Sequence, residues 1–352
     1  MIKATLVVPK AYQKNRIFDM DNPVNGRDNH LYIFKELKSS LLIKGIDLST
    51  QDINFIKYSE YIIFCDMPKK IYKKEKWQKV YLFAFESIAV LPRNFDRNLY
   101  KNFDKIFTWY DDIIDNNKVI KINYSFLLNP LEFIEYKDKT GFISMVCGNK
   151  YSNHSGELYS QRYNLINFFE KNTNYSFSLY GTNWNNCYKK IYYNIVKRMH
   201  KYLLTLYIFK IFEHFINISG LNRYFLIKIK NFKGPLSPKI PKLKNYKFNI
   251  CYENTGNVNG YITEKIFDCF LSGCIPVYLG APNIKKHIPE DTFIDRREFN
   301  SDIDLINFLE NINEEKYLNY QNSIKLFLNS EKAIQFSSNY IAEKIISKFP
   351  IK

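Results

Sequence analysis

No stretch of this 352-residue chain carries the 18 or so uninterrupted apolar residues that a membrane-crossing helix needs. The nearest candidate, YLLTLYIFKIFEHFINIS from Tyr202, is broken by Lys210, Glu213 and His214, so no spanning helix is expected. The opening residues, MIKATLVVPKAYQ, show neither an apolar segment of signal length nor a small-residue cleavage site, and a cytoplasmic location is expected. The six cysteines form no CxxC pair and sit mostly in apolar runs, the pattern of buried free thiols in a reducing compartment. Zinc-finger spacing, an RNP-like aromatic strand, a basic heptad region and internal repeats are also missing. Nucleic acid is therefore not expected as a partner, and a nucleic-acid reading would rest on charge alone. Acidic residues are in short supply: 35 Asp and Glu against 51 Lys and Arg give a formal charge of +16. Such a surface attracts anionic lipid or phosphorylated small molecules by long-range steering without choosing between them.

What is present describes a globular protein of two domains. The chain is too long for one ordinary core, and 46% hydrophobic with 24% charged residues is a folding composition. The first 135 or so residues alternate short apolar runs (IKATLVV, YIIFC, VYLFAF, KIFTW, KINYS) with a helical pattern near 30–43. A polar stretch, EYKDKTG, precedes a second set: FISMVC, a helix over about 157–169, SFSLYG, FNICYE, a helix over 264–272, CIPVYLG and TFID. Helical patterns follow at about 301–312, 314–328 and 331–347. Apolar runs alternating with helices predict α/β architecture: two Rossmann-like domains, residues 1–138 and 139–352, facing a cleft. Ligands of such sheets bind beyond the strand ends, which draws attention to Asp66, Glu86, Asp111 and Asp112. Residues 188–233 interrupt the second set with a basic amphipathic pattern, Leu204, Ile208, Ile211, Phe212 and Phe215 on one face. That segment either lies on an anionic membrane surface or packs on the second domain.

The stretch GYITEKIFDCFLSGCIPVYLG, residues 260–280, holds the densest signal. Its glycines and the asparagines before them let a backbone turn sharply and a ligand approach. Thr263 reads as an N-cap, Ile266, Phe267, Phe270 and Leu271 as a buried face, and Gly273 as the stop. The first turn of such a helix, with Lys265 beside it, suits a phosphate. Glu264 then stands either on a ribose diol, where a carboxylate accepts from both hydroxyls, or on an ordinary solvated helix face.

The run from Phe248 to Phe299, with EN, Y-x-TEK, G-x-x-PVY-x-G, a proline and FID in order, resembles the donor-binding signature of the α-1,3/4-fucosyltransferases, glycosyltransferase family 10. FES at 85–87, FTWYDD, CGNK at 147–150, QR at 161–162 and YG at 180–181 are similar to other family blocks. The resemblance implies a GT-B fold, GDP-fucose as donor, a glycan acceptor joined through O3 of a GlcNAc or glucose unit, inversion, and no metal or other cofactor. It implies that Glu264 holds the ribose, that Lys265 and Arg162 meet the diphosphate, and that Tyr261 and Asn254 line the sugar pocket. Asn149, Glu253 and Thr263 complete the implied donor set, and residues 139–352 become the donor domain. Cations must take up the charge that develops on a departing diphosphate, and Arg donates to phosphate oxygens in pairs. Glu86, at the end of VYLFAF, is the implied base; apolar surroundings make a carboxylate a better one. Asp111 and Asp112 are its rivals by position. Two departures, GN at 148–149 and Ile88 after FES, fall on the acceptor side. A DMD at 19–21 lies in a polar N-terminal stretch and reads as an ordinary loop. Two other readings stay open: another nucleotide-sugar donor on the same fold, and a basic protein that binds without catalysis. An enzyme of this kind is expected in the cytoplasm; of the two readings of residues 188–233, the membrane one would place it on the inner face of the membrane.

Overall fold

The computed structural model describes residues 1–24, 29–130, 132–188 and 226–351. Its first sheet contains β1 (Ile2–Val7), β2 (Ile46–Thr50), β3 (Tyr61–Cys65), β4 (Lys79–Ala84), β5 (Lys105–Thr108) and β6 (Val119–Lys121). Every pairing is parallel and the order is β2-β1-β3-β4-β5-β6. The central strands read as unbroken apolar runs because both faces are covered. Helix α1 (Tyr32–Ile43) packs on one face through Ile33, Phe34, Leu37 and Leu41, a single helical stripe. On the other face Ile62, Phe64, Val80 and Leu82 meet Tyr100 of a short 3₁₀ helix and Phe103 just after it.

The second sheet has β7 (Gly141–Val146) and β8 (Phe177–Tyr180), followed in the chain by a short antiparallel pair, β9 (Cys187–Tyr188) and β10 (Leu226–Ile227). It is completed by β11 (Tyr246–Tyr252), β12 (Ile275–Leu279) and β13 (Ile294–Asp295), in the order β13-β12-β11-β7-β8 and again all parallel. Helices α2 (Tyr159–Lys171), α3 (Lys239–Leu243), α4 (Glu264–Ser272), α5 (Ile284–His287), α6 (Asp302–Glu310) and α7 (Glu314–Leu328) accompany it. These are the two Rossmann-like domains that the alternation of runs predicts.

Three details differ from the sequence reading. β2 was not expected: it is a five-residue edge strand, IDLST, too short and polar to stand out. The KINYS run is mostly irregular, the strand lying earlier at Val119–Lys121. The last predicted helix is two, α8 (Glu331–Ile334) and α9 (Ser338–Ile346). The break falls where Phe126 exchanges backbone bonds with the chain: its N–H donates to the Phe336 carbonyl at 2.8 Å and its carbonyl accepts from Ser338 at 3.1 Å. α9 then packs on α1, with Ile341, Ala342, Ile345, Ile346 and Phe349 inside the first core. The expected unit 139–352 thus gives its last helix to the first domain.

Among the described residues no helix is long and apolar enough to cross a membrane. The amphipathic segment read at 188–233 falls mostly outside the described residues, since 189–225 are not among them.

Candidate active site

In each sheet the chain reverses its direction of growth beside a strand: between β1 and β3 in the first, between β7 and β11 in the second. Crevices open beyond the strand ends at such points. One cavity of about 360 Å³ lies where the ends of the second sheet face those of the first. Cys147, Gly148 and Lys150 follow β7, Gly181 and Thr182 follow β8, and Asn254 follows β11; Thr263, Glu264 and Lys265 open α4, and Arg162 reaches in from α2. Glu86 and Tyr124 close it from the first domain.

The start of α4 is organised around a buried carboxylate. Glu253, with no exposed surface, accepts from the Thr263 N–H (2.8 Å), the Thr263 hydroxyl (2.7 Å) and Lys265 Nζ (2.9 Å). The Thr263 hydroxyl is committed to Glu253 and Lys265, so it does not cap the helix through its side chain as expected. Burial works against the charge of Lys265, but Glu253 and Glu264 outweigh it and hold the ammonium above its ordinary range. Glu264 Oε1 lies 3.7 Å from Lys265 Nζ. Glu253, expected among the donor-binding residues, lies beneath this wall and does not itself line the cavity; it touches the lining residues Thr263 and Lys265. α4 ends as predicted at Gly273, whose φ of +67° favours glycine.

Arg162 is buried and donates from Nε and Nη2 to the Tyr252 carbonyl (3.1 and 2.6 Å) and from Nη2 to Asn254 Oδ1 (3.0 Å). Asn254 in turn donates to the Tyr261 hydroxyl at 3.2 Å. Tyr261 lines the cavity from the second domain while its ring packs 4.5 Å from that of Trp109 in the first. Burial pushes the Tyr261 and Tyr124 phenols well above their ordinary range, so neither serves as a base near neutrality. Asn149 stands slightly apart, in a second cavity with Lys150 and Tyr159, its Nδ2 bonded to the Asn183 carbonyl at 3.1 Å.

The backbone of Glu86 is anchored by Asp66 and Asn94. Asp66 Oδ1 accepts from the N–H groups of Phe85 and Glu86, both at 2.9 Å, and from Asn94 Nδ2 at 2.7 Å. Burial raises the Asp66 pKa, partly offset by these donors. The Phe85 carbonyl accepts from Trp109 Nε1 and the Tyr124 hydroxyl. Glu86 and Tyr124 also line a separate, largely apolar cavity of about 170 Å³ that includes Val8, Phe34 and Cys65. Glu86 therefore forms part of the wall of two cavities, one facing the second domain and one inside the first.

Its rivals are occupied elsewhere. Asp111 contacts Lys121 Nζ (2.6 Å), His287 Nε2 (2.8 Å) and Asn283 Nδ2 (2.7 Å). Burial alone would raise its pKa, but these partners outweigh that and hold the carboxyl well below the usual range. Asp112 accepts from Asn259 Nδ2 at 2.8 Å. Neither lines the cleft. Gly260, read as part of a phosphate cradle, lies in this same contact: its φ is +79°, and a Cβ there would stand 2.4 Å from the Trp109 carbonyl. The glycines that line the cleft are Gly148 and Gly181. Asp19 of the DMD stretch accepts from the N–H groups of Asp21 and Asn22, an exposed turn. Among the described residues no cluster of three or more His, Cys, Asp or Glu could hold a metal. None of the six cysteines forms a disulfide, and four of them are buried.

Reasoning from sequence missed Tyr124, Thr182, Lys150 and Lys239 in the cleft wall. Lys239 sits in α3 and pairs with Asp268 of α4 at 2.9 Å. Only the CGNK block pointed near Lys150; nothing local marked the others.

Residues 230–337 match the profile of the glycosyltransferase family 10 (fucosyltransferase) C-terminal domain. An alpha-(1,3)-fucosyltransferase of Helicobacter pylori is 32% identical over 111 residues, 30% of this chain and 22% of that protein. The mouse 4-galactosyl-N-acetylglucosaminide 3-alpha-L-fucosyltransferase 9 is 39% identical over 92 residues, 25% of each chain. The chain thus matches about a quarter of the length of these relatives. An alpha1,3-fucosyltransferase crystallised with GDP covers 99% of this chain and 92% of its own, with a TM-score of 0.53 and 15% identity, a likeness of fold. Residues 230–337, which include the whole of helix α4 and its buried carboxylate, are therefore similar to the C-terminal domain of glycosyltransferase family 10.

Proposed function

We propose that the protein transfers fucose from GDP-fucose to a glycan hydroxyl, O3 of a GlcNAc or glucose unit, with inversion and without a metal. The carrying observation is the shared cavity in which Glu86 of the first domain faces Arg162, Glu264 and Lys265 of the second. In this reading residues 139–352 supply the donor site and the first domain the acceptor site. The diphosphate lies against the first turn of α4, with Lys265 and Arg162 as its cations and Glu264 on the ribose. Asn254 and Tyr261 face the sugar. Asn149, beside this cavity, borders the nucleotide end.

Glu86 takes the proton of the acceptor hydroxyl as its oxygen attacks the anomeric carbon, and the bond to the diphosphate breaks on the opposite face. The charge released passes to groups already in place, which is where preorganised cations act most strongly. The apolar cavity behind Glu86 supports an acceptor bound on the first domain. Cysteines that form no disulfide support a cytoplasmic location.

The test is a thermal-shift series of GDP, UDP, ADP, CMP, GDP-fucose and GDP-mannose with excess EDTA, followed by transfer assays on GlcNAc- and glucose-terminated glycans. A selective shift by GDP and GDP-fucose that survives chelation is expected, because ligands bound only to the folded state stabilise it. A preference for UDP compounds, or a shift lost with EDTA, contradicts the reading.

A further inference from the structure

Two loops of the first domain carry a surface that the proposed reaction does not use. Residues 51–60, between β2 and β3, and residues 66–78, between β3 and β4, take the place of helices over one face of the first sheet. Ile56, Ile71 and Tyr72 pack inward on that core. The buried Gln78 ties the loops together: its Nε2 donates to the Ile56 and Ser59 carbonyls (2.8 and 2.9 Å), and its Oε1 accepts from the Tyr72 hydroxyl (2.9 Å).

Their outward side chains are apolar and basic at once. Ile53, Phe55, Tyr58 and Trp77 are 46%, 59%, 63% and 51% exposed. Lys57, Lys69, Lys70, Lys73 and Lys76 are exposed as well, and among the described residues none of these five is paired with a carboxylate. Asp52, Glu60, Asp66 and Glu75 are the acids of the same two loops.

We infer that this platform docks the protein on an anionic lipid bilayer. Tryptophan and tyrosine favour the boundary between headgroups and acyl chains, and lysines extend their charge to anionic headgroups while covering apolar surface with their stems. Ile53 and Phe55 add exposed apolar surface that acyl chains accept, whereas a single-stranded nucleic acid is held by base stacking along a basic groove. Trp77 precedes β4 and Glu86 follows it, so Trp77 lies at the opposite end of a six-residue strand from the cleft, about 20 Å away, while Lys69 and Lys70 follow Asp66 at the other end of the same loop.

Tryptophan emission gives a direct test on the full chain. Of the three tryptophans, Trp109 and Trp184 are buried and Trp77 is exposed, so a blue shift on docking reports Trp77. Phosphatidylcholine vesicles containing phosphatidylglycerol should sediment the protein and shift its emission, while phosphatidylcholine alone should do neither. The triple variant Lys69→Glu, Lys70→Glu, Lys73→Glu should partition about a hundredfold less, taking about fivefold per lysine near a charged surface. Its melting temperature should match the parent, and Trp77→Phe should remove the emission shift while leaving most of the sedimentation. The inference is overturned if the parent ignores anionic vesicles or if the triple variant sediments like the parent, which places the contact elsewhere in the chain. It is also overturned if a DNA or RNA oligomer produces the shift and vesicles do not.

Discussion

At the scale of single residues, the first turn of α4 shows how a cation is held charged in the wall of a cavity. Lys265 is nearly buried and would be costly there alone; Glu253, wholly buried, supplies the opposing charge and fixes Thr263 with the same carboxylate. Removing one member of a buried pair leaves the other uncompensated. Glu253→Gln is expected to cost about 3 kcal/mol of stability in chemical denaturation. If the donor site is as proposed, GDP should then raise the melting temperature of the variant more than that of the parent, because the diphosphate replaces the missing charge. An equal shift in both proteins would separate Glu253 from Lys265. The TEK block made Glu264 and Lys265 legible in the sequence. The inward direction of Glu253 was not legible, since it is set by how the chain turns after β11. Lys239 and Tyr124 reach the cleft only through tertiary packing, which leaves no local pattern to read.

Elements with a strong period were readable and elements defined by a partner were not. α4 announces itself through Ile266, Phe267, Phe270 and Leu271 and a glycine stop. The break between α8 and α9 depends on the backbone of Phe126, more than 200 residues earlier in the chain, and so escapes any local rule. That break has a structural purpose, because it turns α9 onto α1 and closes the first core with Ile341, Ile345 and Phe349. Phe349 packs 4.9 and 4.6 Å from the rings of Tyr61 and Tyr81. Truncation after Ser337 should therefore destabilise the first domain rather than the second, although the helix follows the second in sequence. Burying several large side chains is worth about 2 kcal/mol each, so loss of cooperative unfolding in the first domain is expected. Hydrogen exchange checks this: protection should fall in β1, β3 and β4 and persist in β11 and β12. Uniform loss in both sheets would contradict it.

At the scale of the molecule, the two sheets meet through a polar cluster beside an aromatic contact. Asp111 and Lys121 belong to the first domain, Asn283 and His287 to the second, and Trp109 packs against Tyr261 nearby. Two α/β halves were legible from the alternation of runs, but the residues that join them were not. Asp111 was weighed there as a base, when its partners commit it to the joint. Its pKa is lower in the folded than in the unfolded protein, so the stability it contributes is fully present above the unfolded value and is lost as pH falls through the folded one. Asp111→Asn should accordingly lower stability by about 2 kcal/mol at neutral pH. That difference should shrink as pH falls below about 3.9, the ordinary aspartate value. A deficit that stays constant down to strongly acid pH would remove Asp111 from the joint.

The joint matters because it brings Glu86 across from the cations, and the central claim is that Glu86 acts as the base in that position. The most direct measurement compares Glu86→Gln with the parent for fucose transfer and for GDP binding. The account predicts that transfer falls by about 10²–10⁴-fold, the contribution of a positioned general base, while GDP affinity stays within twofold of the parent, about 0.4 kcal/mol. Transfer at the parental rate, or a loss of GDP binding equal to the loss of transfer, would contradict it.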